Sequence, residues 1–219
     1  MTFLDEMRAS FPPGLSLPAE FETLFTWMEA TGFVHDFTKR SGRYASLYPS
    51  DESGTGTSLV TFTPVDRTWA EGWTGGNAAA SACLAPLLRT GGDGSYAAIW
   101  KDDVGQQRFV HLGSGSGSTM LCTLVDNPVD FLRLVAIGYE ELCWPEVFHL
   151  TPEAAYDENH DEDDPPYQRP VQFREWVERT FKVSVPETAA ELVRKTAEMR
   201  ADETSDDPFF LWIRRLQGW

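Results

Sequence analysis

Two groups of side chains in this chain have the types and spacing to do chemistry. The first is His111 followed by Gly113-Ser-Gly-Ser-Gly-Ser118. Here the histidine and Ser114 could serve as base and nucleophile, with Asp102, Asp103 or Asp126 as the orienting acid. The same clustered glycines could instead let backbone amides approach a phosphate closely. The second group is Asp157-Glu-Asn-His-Asp-Glu-Asp-Asp164, whose carboxylates could attract a basic partner or bind a cation weakly.

The surroundings of the first group argue for a turn. The next residues, Thr119-Met-Leu-Cys-Thr-Leu-Val125, have a strand pattern, so neither the strand-to-helix step of a dinucleotide loop nor the Gly-Lys-Ser/Thr ending of a P-loop is present. A serine elbow also needs a helix after the serine, and this serine stands between strands. A strand histidine beside a tight turn is therefore the favoured reading, and a hydrolase using His111 and Ser114 ranks last. The acidic run lacks the regular spacing and terminal glutamate of a calcium loop. His35, His111, His149 and His160 show no HxH or HxxxH spacing, so no metal site and no cofactor is expected.

The elements that must position these groups are set by periodicity. Pro18 precedes Phe21, Leu24, Phe25 and Met28, spaced for one face of a helix that Gly32 would stop. Strands are expected at 43–48 and 59–65, separated by a Pro-, Gly- and Ser-rich loop. Asn77 could cap a short alanine-rich helix running toward Cys83, with Pro86 ending or kinking it. Tyr96-Ala-Ala-Ile-Trp100, Arg108-Phe-Val-His-Leu112 and Thr119–Val125 read as three strands with short connections, hence antiparallel. A helix then starts at Asp126 or Asn127 with Pro128 early in it, burying Phe131, Leu132, Val135 and Ala136. Residues 151–168 carry seven acidic side chains and no lysine or arginine, and read as an exposed loop. Two further helices are expected around Phe173–Thr180 and Glu187–Arg200, and the apolar end from Pro208 should pack back.

Composition narrows the function. The net charge of −16, from 34 acidic and 18 basic residues, disfavours direct binding to nucleic acid or to an anionic membrane; it would attract a basic partner or serve solubility alone. No segment approaches the length of a membrane span, and no leader pattern opens the chain. Three cysteines without a CxxC pair suit small core residues in a reducing cytoplasm. Trp69, Trp73, Trp100, Trp144 and Trp176 could be core residues or recognition anchors.

Leu17-Pro-Ala-Glu-Phe-Glu-Thr-Leu-Phe25, Ala98-Ile-Trp100, Phe109-Val-His-Leu-Gly-Ser114 and Val129-Asp-Phe-Leu-Arg-Leu-Val-Ala-Ile-Gly-Tyr-Glu-Glu-Leu142 together resemble the SMI1/KNR4, or SUKH, superfamily. The likeness is strongest over 96–141, while an Asn-Gly-Gly element after the first helix is missing and the acidic segment and C-terminal helices lie outside the pattern. It implies an α+β domain with a twisted, mainly antiparallel sheet flanked by helices. It also implies a bacterial immunity protein that binds and neutralises a cognate toxin, for which a nuclease with a basic surface would be electrostatically suited.

The expectation is a SUKH-like domain over 1–150, an acidic loop over 151–169, and C-terminal helices over 170–219 on the same domain. It is a non-enzymatic protein-binding domain whose basic partner meets Asp157, Glu158, Asp161, Glu162, Asp163 and Asp164. A domain that binds a small ligand or a peptide is the alternative.

Overall fold

Phe21, Leu24, Phe25 and Met28 are all fully buried, and the helix their spacing predicts is present at Ala19–Ala30 (α2), with Gly32 at φ +85° turning the chain out of it. It is preceded by a helix that the periodicity did not announce, Phe3–Ser10 (α1), held by a reciprocal Thr2–Asp5 capping box. The computed structural model describes residues 1–50, 56–200 and 203–218. The loop expected between the first two strands falls partly on 51–55, outside the described residues.

Seven strands succeed one another in both sequence and space: Val34–Asp36 (β1), Arg43–Ala45 (β2), Thr61–Phe62 (β3), Leu84–Arg89 (β4), Tyr96–Lys101 (β5), Gln107–Leu112 (β6) and Leu121–Val125 (β7). Every neighbouring pair is antiparallel, so the chain is an α+β fold built on one open sheet. Arg43 ties β2 to the first two helices through Glu6 at 2.9 Å and Glu29 at 2.8 Å.

β4 corrects the sequence reading. The alanine-rich helix is a single turn, Ala78–Ser81 (α4), capped by Asn77 and preceded by the short helix Trp69–Trp73 (α3). Pro86 does not end a helix but sits inside a buried strand, where the register shifts between Pro86 and Leu88. A bulge is where a strand tolerates a residue that has no N–H to give to the ladder.

One face of the sheet is covered by α2 and by Pro128–Ile137 (α5), which starts with an Asn127 cap as expected. Phe109 stacks on Phe131 at 4.6 Å and on Phe21 at 5.6 Å, while Phe25 meets Phe62 edge-on at 5.4 Å. The C-terminal helix, Pro208–Gln217 (α8), covers the far end of the other face, where Phe209 and Trp212 lie 5.3 and 5.5 Å from Trp100. Burying a side chain of this size is worth roughly 1.5–3 kcal/mol. Val171–Phe181 (α7) extends the first layer, with Trp176 stacked on Trp27 at 4.7 Å. Phe173, Phe209 and Ile213 thus belong to the same apolar cluster as Phe21 and Phe62.

Two further segments differ from expectation. The helix expected over 187–200 is only the 3-10 turn Ala189–Glu191; the chain beyond runs along β7, with Leu121 N–H donating to Ala197 O at 2.7 Å and Met199 N–H to Thr119 O at 2.8 Å. Its buried side chains, Ala189, Val193 and Ala197, are too small to reward a helix. Pairing with an otherwise open strand edge satisfies backbone groups instead. The acidic segment also begins as a helix, Pro152–Asp157 (α6), which is capped by Thr151 and buries Ala155 and Tyr156, and the run of mostly exposed residues starts at Asp157. Among the described residues no helix is long and apolar enough to cross a membrane.

Candidate partner-binding site

The His111–Ser114 pair is not brought together. His111 is fully buried, with Nδ1 2.9 Å from Met120 O and Nε2 2.9 Å from Thr90 Oγ1, so both ring nitrogens are engaged within the core. Burial, only partly offset by the hydrogen bond to Met120, pushes its pKa down to about 4. Of the proposed orienting acids, Asp102 holds the β5–β6 turn and Arg108, Asp126 also pairs with Arg108, and Asp103 is exposed.

The glycine-serine turn has an internal anion at its centre. The Asp93 carboxylate accepts from Ser95 N–H at 2.9 Å, Ser95 Oγ at 2.7 Å, Ser114 Oγ at 2.8 Å and Ser118 N–H at 2.8 Å. Burial would raise the Asp93 pKa, but the hydrogen bonds from Ser95, Ser118 and Ser114 outweigh it and hold the carboxyl below its usual range. Amides of the turn are already engaged within the protein, Ser118 N–H on Asp93, Ser114 N–H on Ser95 Oγ and Gly117 N–H on Ser114 Oγ. A Cβ on Gly113 would lie 2.4 Å from Ser118 O, which is why the turn needs glycine there.

The acidic groups converge elsewhere. Gly138, at φ +95°, ends α5 and turns the chain into Tyr139-Glu-Glu-Leu-Cys-Trp144. This segment is stitched down by Ser58 Oγ donating to Tyr139 O at 2.7 Å and Leu59 N–H donating to Glu140 O at 2.8 Å. Tyr139 OH reaches across to Leu150 O at 2.6 Å, bringing α6 alongside. Between them lies a cleft of about 640 Å³, walled by Tyr139, Trp144 and Tyr156 and carrying Glu140, Glu141, Glu146 and Glu158. None of its lining residues is a lysine or an arginine.

The carboxylates have different duties. Glu141 is pinned, accepting from Gly92 N–H and Trp144 Nε1–H at 2.5 Å each, and thereby orients the tryptophan. Glu140 lies 2.9 Å from His160 Nε2, and Asp164 lies 3.3 Å from Nδ1 of the same ring, which stacks on Tyr156 at 3.8 Å. The hydrogen bond to Glu140 above all, with Asp164 adding to it, raises the His160 pKa despite some desolvation. The Asp161 amide, and then His160, hold Asp164 below the usual carboxylate range. Glu146 and Glu158 are exposed and make no ion pair among the described residues. Two free carboxylates beside the partly exposed ring of Trp144 suit a lysine or arginine side chain, through charge-assisted hydrogen bonds and cation–π contact.

The six acidic residues singled out from sequence are all exposed. Glu158 lines the main cleft; Asp157, Asp161, Glu162 and Asp164 line a smaller one of about 320 Å³ beside it, and Asp163 lines neither. The residues missed were Glu140, Glu141 and Glu146. The visible signal was the alternation of acids and aromatics from Tyr139 to Glu146, directly after a helix-stopping glycine. Of the tryptophans, Trp100 and Trp176 are core residues, whereas Trp69, Trp73 and Trp144 are partly exposed. Among the described residues no three histidine, cysteine, aspartate or glutamate side chains converge to hold a metal ion. Comparison with protein-family models, with curated proteins and with solved structures finds no match for this chain.

Proposed function

We propose that this chain is a non-enzymatic protein-binding domain that captures a basic protein partner in the acidic cleft between α5 and α6. The observation that carries the reading is the placement of Glu146 and Glu158, neither of them in an ion pair among the described residues, in one cleft with the partly exposed ring of Trp144, where His160 engages Glu140 and no lysine or arginine is among the lining residues. The outer acids Asp157, Asp161, Glu162, Asp163 and Asp164 extend the negative surface and steer a basic partner toward the cleft.

The SUKH resemblance of the 96–141 segment supports a more specific form of this reading, a bacterial immunity protein that neutralises a cognate toxin. A nuclease, whose substrate-binding surface is basic, is the toxin class with matching charge. On this reading the protein acts in the cytoplasm, where its three free cysteines remain thiols.

Recovery of the partner from the native host with wild-type protein, repeated with Glu140→Gln/Glu146→Gln/Glu158→Gln, tests the reading. A basic protein held by the wild type and released by the variant supports it; equal retention by both defeats it. The cleft volume also suits a small cationic ligand. That second reading gains weight if no protein is recovered while free arginine or a short basic peptide binds the wild type alone.

A further inference from the structure

Beyond α8 on the same face of the sheet, where Trp69 of α3 packs edge-to-face with Tyr96 at 5.4 Å, lies a second groove of opposite character. Tyr96, Arg89 and Thr61 stand side by side across β5, β4 and β3, as the pairs Arg89↔Tyr96 and Thr61↔Arg89 require. The β1–β2 hairpin loop, with Phe37, Lys39 and Arg40, forms a wall beside them, enclosing about 510 Å³. Of the nine residues lining this groove three are cationic and none is acidic, in a chain whose net charge is −16.

The cations are placed for use. Arg89 donates Nε–H to Gly91 O and an Nη2–H to Gly92 O, both at 2.9 Å, which fixes the guanidinium while Nη1 has no partner among the described residues. Arg40 lies over the Phe37 ring at 3.8 Å, and Lys39 is exposed without an ion pair among the described residues. Phe37 and Tyr96 are partly exposed rings, and Thr61 offers a hydroxyl on the floor between them.

We propose that this groove is a binding site for a small anion carrying a planar ring, of the mononucleotide class, distinct from the acidic cleft. Fixed guanidinium and exposed ammonium groups would take the phosphate, and the partly exposed Tyr96 would take the ring, since Phe37 is already packed against Arg40 and Tyr44. The volume is that of a small-ligand site. The charge of the whole chain selects against a long polyanion, whose other phosphates would meet the acidic surface.

Calorimetric titration of the full chain with AMP, adenosine, inorganic phosphate and an oligoadenylate tests this. The expected result is saturable AMP binding that is tighter than for phosphate or adenosine. It should weaken roughly tenfold or more in Lys39→Ala/Arg40→Ala, whose changes sit on an exposed loop, and in Tyr96→Leu. Glu146→Gln/Glu158→Gln should leave it unchanged. No AMP binding, phosphate binding as tight as AMP, tighter binding of the oligoadenylate, or indifference to both groove variants overturns the proposal.

Discussion

His160 Nε2 lies 2.9 Å from Glu140 Oε2, so a single side-chain pair fastens the segment after α6 to the loop after α5 across one end of the acidic cleft. The same imidazole stacks on Tyr156 and reaches Asp164, which places one titratable group at the junction of the main cleft, its smaller neighbour and the aromatic wall.

This junction should be pH-sensitive. The His160 pKa is raised by Glu140 and Asp164, so the bond contributes stability that is fully present below the unfolded value of about 6.5 and is lost as pH rises through the higher folded value. Histidine NMR titration should give His160 a pKa above that reference, falling toward it in Glu140→Gln. A wild-type value at or below the reference would contradict the fastening.

His111 should act in the opposite direction. Its pKa of about 4 lies below the unfolded value, so its contribution is fully present above pH ~6.5 and is lost as pH falls toward 4, by roughly 3 kcal/mol over that interval. Urea denaturation of His111→Leu should show a weakened acid limb. At neutral pH it should be destabilised by about 1–3 kcal/mol, because Thr90 and Met120 lose their partner. Unchanged stability at pH 7 would show that the buried pairing contributes nothing.

Asp93 should govern the glycine-serine turn. Asp93→Ala removes the acceptor of four donors from Ser95, Ser114 and Ser118 and should cost about 1–3 kcal/mol. Faster hydrogen exchange at the Ser118 amide in the variant checks the assignment. Exchange at the wild-type rate would mean that the glycine backbone holds the turn alone.

Much of this architecture can be read from the residues. α5 announces itself through Asn127, Pro128 and the spacing of Phe131, Leu132 and Val135, because cap chemistry and periodicity agree. The three strands from Tyr96 to Val125 do so through their short connections. β4 does not, since Pro86 is a breaker by local rules and only the bulge reconciles it with a buried strand. The 187–200 segment misleads for a different reason. Ala189, Val193 and Ala197 recur every four residues as in a helix, yet the strand from Thr119 into β7 competes for the backbone at Ala197 and Met199, and that competitor lies far away in the chain. The cleft was legible by halves. The run 157–164 stands out by charge alone, whereas Glu140 and Glu146 join it only because Gly138 turns the chain and Tyr139 is bonded to Leu150.

The most direct test of the central claim is the salt dependence of affinity for the basic protein recovered with this chain, measured for the wild type, for Glu140→Gln/Glu146→Gln/Glu158→Gln and for a variant neutralised at Asp157, Asp161, Glu162, Asp163 and Asp164. The cleft variant should bind at least about tenfold more weakly. The outer variant should chiefly lose association rate and salt sensitivity. Wild-type affinity together with a wild-type salt slope in both variants would contradict the account.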